Sequence, residues 1–141
     1  MREIKFRCFD KENKKMQDVR KLIFEDGKMY IVPHMYNDLF TTDEFVLMQY
    51  TGIKDRNNKE IYEGDILFYK FKSYLSGEDR GAYYIVKYED GMFCICIKEY
   101  NEKEGKEEWI EDDRLCKSLI EVDKLEVIGN IYENPKLLEA D

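Results

Sequence analysis

Four cysteines, one histidine and 31 carboxylates are the side chains of this 141-residue chain best equipped for chemistry. A nucleophile–histidine–acid arrangement needs a histidine in most of its forms. His34 is the only one, and it follows Pro33 with no nucleophile pattern around it. A structural zinc site shows paired C-x₂₋₄-C spacings. The chain offers instead Cys8, Cys116 and one C-x-C, Cys94 and Cys96, set in an apolar run. Those thiols read as small buried hydrophobes, and Cys94 and Cys96 are too close along one strand to bridge each other without distortion. The stretch Asp55-Arg56-Asn57-Asn58-Lys59-Glu60 opens like a calcium loop. It departs from that pattern at once, with Lys59 at the fifth position and no Gly at the sixth. No glycine-rich phosphate loop is present, and nothing singles out a working pair among the carboxylates. No catalytic, cofactor-binding or metal-binding residue is assigned, and the expectation is a protein that is not an enzyme and uses no cofactor.

The elements that would position any site are strands. Glu3-Ile4-Lys5-Phe6-Arg7-Cys8 alternates with period two, which places Ile4, Phe6 and Cys8 on one face of a strand. Asp10 to Lys15 is a polar turn. Lys21–Phe24 and Lys28–Val32 flank Glu25-Asp26-Gly27, and Ala82–Tyr88 and Met92–Ile97 flank Glu89-Asp90-Gly91. Asp-Gly between apolar runs predicts a hairpin, because Gly supplies the positive φ of a tight turn. Residues 34–43 read as a loop or single helical turn, and Glu44–Tyr50 as a strand broken at Thr51-Gly52. Ile61 to Phe71 reads as a turn feeding a strand, and residues 73–81 as a polar loop. Cys94 and Cys96 share one face with Met92, while Phe93, Ile95 and Ile97 take the other, so this strand is expected to be buried on both sides. Residues 101–113 form the most polar stretch, with Trp109 isolated in it. A short helix is expected near 115–120, a final strand over Leu125–Tyr132 and a terminal helical turn near 134–139. Strands at short spacing with hairpin turns predict an all-β, antiparallel fold with minor short helices, an SH3-like barrel or a sandwich. One domain over 1–141 is expected, with 1–45 an N-terminal β subregion on a barrel-like region over 46–135.

Three blocks of sequence point to a family. The first is Ile4-Lys5-Phe6-Arg7 with Asp10-Lys11. The second is Gln49-Tyr50-Thr51-Gly52-Ile53-Lys54-Asp55 followed by Lys59-Glu60-Ile61-Tyr62-Glu63-Gly64-Asp65-Ile66. The third is Val127-Ile128-Gly129-Asn130-Ile131-Tyr132-Glu133-Asn134-Pro135. Together they resemble the YopX family of phage and prophage proteins and bracket nearly the whole chain. Where that family often has Asn-Gly at the central turn, this chain has Asn57-Asn58, a change the turn should accept. The resemblance implies a β-rich fold and a phage-related origin, and it brings no catalytic residue to any position. On physical grounds Gly64 is expected in a conformation other residues avoid, with Asp65 capping backbone N–H groups of the turn.

Composition narrows the partners. Hydrophobic residues make up 43% and aromatics 14%, richer than a disordered chain. No apolar run approaches the roughly 20 residues of a membrane span, and the N-terminus lacks the apolar stretch of a signal peptide; a soluble cytoplasmic protein with no membrane contact is expected. The net charge of −8 is uneven: residues 1–75 carry 14 basic and 13 acidic side chains, residues 76–141 carry 9 and 18. The acidic half disfavours a phosphate backbone. Residues 1–21 hold eight basic side chains against four acids, and that face would serve the alternative reading, a small nucleic-acid-binding β-barrel. Phe68-Tyr69-Lys70-Phe71 and Tyr83-Tyr84 near Lys87 resemble base-stacking surfaces, but cross-strand pairs in a sheet use the same residues. The leading expectation is a non-enzymatic phage accessory protein acting through protein–protein contacts or self-association as a homo-oligomer.

Overall fold

A computed structural model describes residues 3–101, 103, 105–114 and 124–139. The protein is all-β, with two antiparallel five-stranded sheets. The chain divides into two compact units, Met1–Gly52 and Ile53–Asp141.

In the first unit, β1 (Phe6–Asp10), β2 (Lys15–Glu25), β3 (Lys28–Pro33) and β4 (Phe45–Lys54) lie in the order β3-β2-β1-β4. β2 is long enough to serve two partners. Its first residues pair with β1, its later ones with β3, and the register shifts between Val19 and Lys21. The β2–β3 turn has both Asp26 (φ 51°) and Gly27 (φ 74°) in the left-handed region. This is the type I′ geometry whose twist matches the flanking strands. Cys8, Ile31 and Phe45 form the core, with Val19, Leu22, Tyr36, Phe40 and Leu47 against it. Residues 34–43 are a loop, tied by the bridge between Ile31 and Phe40. The alternation expected from residue 3 begins only at Phe6, and Ile4 is 60% exposed.

β4 does not break at Thr51-Gly52. Gly52 takes φ 85° and the strand runs on to Lys54, crossing into the second unit. A glycine accommodates that backbone without strain, so the strand continues through it. β5 (Glu60–Tyr62) follows beside the end of β4. The second sheet runs β10-β6-β7-β8-β9, from β6 (Asp65–Lys72), β7 (Asp79–Glu89), β8 (Met92–Asn101), β9 (Lys106–Arg114) and β10 (Leu125–Asn130). β6 to β9 form a meander, and β10 returns antiparallel to β6. Neither sheet closes into a barrel; β3 and β5, and β10 and β9, are the sheet edges among the described residues. The β7–β8 turn repeats the first hairpin, with Asp90 at φ 52° and Gly91 at φ 79°. Ile61, Leu67, Val86, Ile95, Leu125 and Val127 are the core. The opposite face of the same strands, Ile66, Ile85, Cys94 and Cys96, is buried too. Residues 106–114 are a strand where the sequence suggested only a polar stretch; their charge hides the pattern. The helix expected near 115–120, and Cys116 with it, lies outside the described residues, as does the side chain of Trp109. Pro135–Leu138 is a single 3₁₀ turn.

Three polar side chains lock the second unit. Asp55 is 6% exposed. Its Oδ1 accepts the N–H groups of Asn57 and Lys59 at 2.8 Å, closing the turn in which Asn58 stands at φ 65°. Its Oδ2 accepts the buried Val127 N–H of β10, also at 2.8 Å. Asp65 Oδ2 caps the Tyr62 N–H across a turn in which Gly64 has φ 82°. Asn130 Oδ1 accepts the N–H groups of Tyr132 and Glu133. Replacing Asp55 by Ala removes both acceptors and strands the Val127 N–H. Urea unfolding should then show a loss of about 3 kcal/mol or more, since hydrogen bonds to charged groups are worth about 1.5–3 kcal/mol each. Lys59→Ala, which keeps its backbone N–H, should cost under about 0.5 kcal/mol. Equal midpoints for the two variants would rule out this role for Asp55.

Candidate functional site

The first unit carries a cleft of about 540 Å³ between the β1–β2 turn and the segment before β4. Its floor is aromatic. Phe40 and Phe45 stand 4.6 Å apart, and Tyr36 meets each of them edge-on, at 5.5 and 6.4 Å. Its rim is mostly carboxylate, from Glu12, Asp43 and Glu44, with Lys11 between them. Lys11 Nζ donates to the Asp43 carbonyl at 3.1 Å, and Glu44 Oε2 accepts the Thr41 N–H. Asp10 lies in the wall, but its carboxylate serves the turn: it accepts the N–H groups of Glu12 and Asn13 and the Asn13 side-chain amide. Burial alone would raise the Asp10 carboxyl. The side-chain and backbone bonds from Asn13, the Glu12 N–H and nearby Lys15 outweigh it, holding the group below its ordinary 3.8. No histidine, serine or cysteine is among the residues that line the cleft. An aromatic floor under carboxylates suits a cationic side chain.

The sequence did not single out this cleft. Tyr36 and Phe40 stand in a segment read as loop; the bridge to Ile31 holds Phe40, and the Tyr36 N–H donates to the Pro33 carbonyl. His34, the candidate weighed for catalysis, is exposed and does not line the cleft. Three basic residues of the N-terminal face, Lys5, Lys11 and Arg20, have local partners. Lys5 meets Glu3 at 2.9 Å, and Arg20 donates to Asn37 Oδ1 at 2.9 Å.

A second surface lies in the other unit. The β6–β7 hairpin ends in a turn closed by Ser73 N–H to Glu78 O and Gly77 N–H to Ser73 O. At its tip Tyr74 and Leu75 are exposed at 107% and 99%. Behind the tip, Tyr69 and Phe71 stack at 5.9 Å on one face, and Phe68 meets Tyr83 at 5.2 Å on the other. The Phe68 ring lies over Gly81, where a Cβ would stand 2.3 Å from two of its carbons. Tyr69 and Tyr84 pack against the core; Phe71, Tyr83 and Tyr88 remain exposed.

The sequence profile of the YopX protein family matches residues 5–139. The chain belongs to the YopX family. Two solved structures are similar over essentially their full length. One is the crystal structure of protein EF1440 from Enterococcus faecalis, 28% identical, covering 98% of this chain and 99% of that one, with a TM-score of 0.58. The other is the crystal structure of protein yopX from Bacillus subtilis, 24% identical, covering 100% and 99%, with a TM-score of 0.59; this likeness speaks for the fold. No curated protein matches the chain. Among the described residues, no helix is long and apolar enough to cross a membrane. The segments that carry the family likeness contain Asp55, Gly64, Asp65 and Asn130, whose contacts hold turns and strand ends.

Two titrations follow from the surroundings of the cleft. The buried Cys8 thiol is pushed up from 9.0 to about 12, by burial first and then by the Asp10 and Asp18 carboxylates. The folded state keeps a proton that the unfolded chain releases, so this contribution is complete below 9.0 and is lost as pH rises toward about 12. The urea midpoint should fall over that window, and Cys8→Ala should flatten the fall. Asp10 is the opposite case. Its folded value is depressed, so its contribution is present above the unfolded 3.8 and is lost as pH falls through the lower folded value. Asp10→Asn should weaken the protein at neutral pH and remove part of its acid sensitivity, read as urea midpoints between pH 7 and roughly pH 3.

Proposed function

We propose that this YopX-family protein is a non-enzymatic phage or prophage accessory protein of the cytoplasm. It works by binding other proteins, copies of itself included. The observation that carries the reading is the β6–β7 tip, where Tyr74 and Leu75 present their whole side chains to solvent. Burying such a residue stabilises a complex by about 1.5–3 kcal/mol, and Tyr is over-represented among the residues that dominate interface energetics. The exposed rings of Phe71, Tyr83 and Tyr88 extend the same apolar character along the strands behind it. The carboxylate rim of the cleft favours a basic protein side chain over a phosphate. The edge strands of the two sheets offer backbone groups for pairing between subunits.

Light scattering of the full chain at micromolar concentration should give a mass above that of one chain. Tyr74→Ser/Leu75→Ser should lower that mass with an unchanged circular dichroism spectrum. A strictly monomeric wild type would remove self-association. Salt-sensitive binding to single-stranded DNA would then put the nucleic-acid reading in its place.

A further inference from the structure

Cys94 and Cys96 gain a companion in the fold that their spacing does not supply. In the β7–β8 hairpin, Glu89 pairs with Met92, Lys87 with Cys94, and Ile85 with Cys96. Cross-strand partners share a face, so Glu89, Cys94 and Cys96 all project to the same side. One carboxylate oxygen and the two sulfurs lie within 4.8 Å of one another. The thiols are 0% and 1% exposed, whereas Glu89 is exposed and joins them to solvent. We propose that Glu89, Cys94 and Cys96 bind one thiophilic divalent cation of the zinc class.

Geometry and charge both select that class. Two thiolates on tetrahedral zinc stand about 3.8 Å apart, given zinc–sulfur bonds of about 2.3 Å. Small rotations of side chains already within 4.8 Å bring them there. Hard cations such as calcium and magnesium take oxygen ligands, so two sulfurs exclude them. Two thiolates and a carboxylate carry three negative charges. A divalent ion leaves one, beside the ammonium-bearing Lys87 that pairs with Cys94; a monovalent ion would leave two in a buried place, at greater cost. Three protein donors leave a coordination position open to solvent. A single C-x-C inside an apolar strand reads as core because its third donor lies on the neighbouring strand and across a turn.

The experiment uses the full-length protein, stripped of metal and titrated with Co²⁺ and then Zn²⁺. One equivalent of Co²⁺ should produce thiolate-to-cobalt charge-transfer absorption, and Zn²⁺ should displace it. Glu89→Gln, a change at an exposed position, should weaken Co²⁺ binding by about tenfold or more. Cys94→Ser/Cys96→Ser should abolish the charge-transfer band. Tyr74→Ser/Leu75→Ser should bind Co²⁺ like the wild type, which separates this site from self-association. No charge-transfer band in the wild type overturns the proposal, and so does a band undiminished in the cysteine double variant. If that double variant does not fold, Glu89→Gln decides: unchanged Co²⁺ affinity overturns the site.

Discussion

One carboxylate, that of Asp55, holds together parts of the chain more than seventy residues apart. It closes the turn after β4 with one oxygen and fixes the start of β10 with the other. Backbone bonds reinforce the same junction, Asp55 N–H to Lys59 O and Arg56 N–H to Leu125 O. β10 packs Leu125 and Val127 into the core and pairs with β6, so the register of the sheet edge depends on this side chain. A buried carboxylate is tolerated because it is hydrogen-bonded by backbone donors, which would themselves be costly to leave unpaired.

The same economy runs through the family-like segments. Asp65 and Asn130 spend their side-chain oxygens on backbone N–H groups of adjoining turns. Polar residues at strand ends, which in another protein would invite a catalytic reading, here complete the backbone hydrogen bonding that short loops leave unmet. The surfaces without such duties are of another kind. They are an aromatic cleft rimmed by acids and a hairpin tip of Tyr and Leu. Both are suited to contact by shape and charge.

The sequence displayed what is local. Asp26-Gly27 and Asp90-Gly91 announce their hairpins because the turn geometry is written in two adjacent residues. The two-sided burial of β8 follows from apolar residues at both parities. What depends on distant partners was hidden. β9 is highly charged, and its strand state comes from pairing with β8, with no alternation of its own to reveal it. Gly52 looked like a stop, yet a glycine inside a paired strand permits a bend as readily as an end. The cleft required Phe40 to meet Ile31 across a loop, and the thiol–carboxylate group required Glu89 to fold back beside Cys94. Neither juxtaposition has a signature in spacing along the chain.

The Phe68 ring resting on Gly81 has a genetic corollary. Glycine alone lacks a β-carbon, so every missense change at that codon, whichever base is altered, places a carbon where the ring already is. The strand must then shift or the ring must swing away, and with it Tyr83, whose ring Phe68 touches. The aromatic surface of the hairpin thus has a point of evolutionary brittleness at a residue with no side chain to contribute. A side chain at position 81 has to be met by a turn of the Phe68 ring, by a shift of the strand or by a smaller residue at position 68.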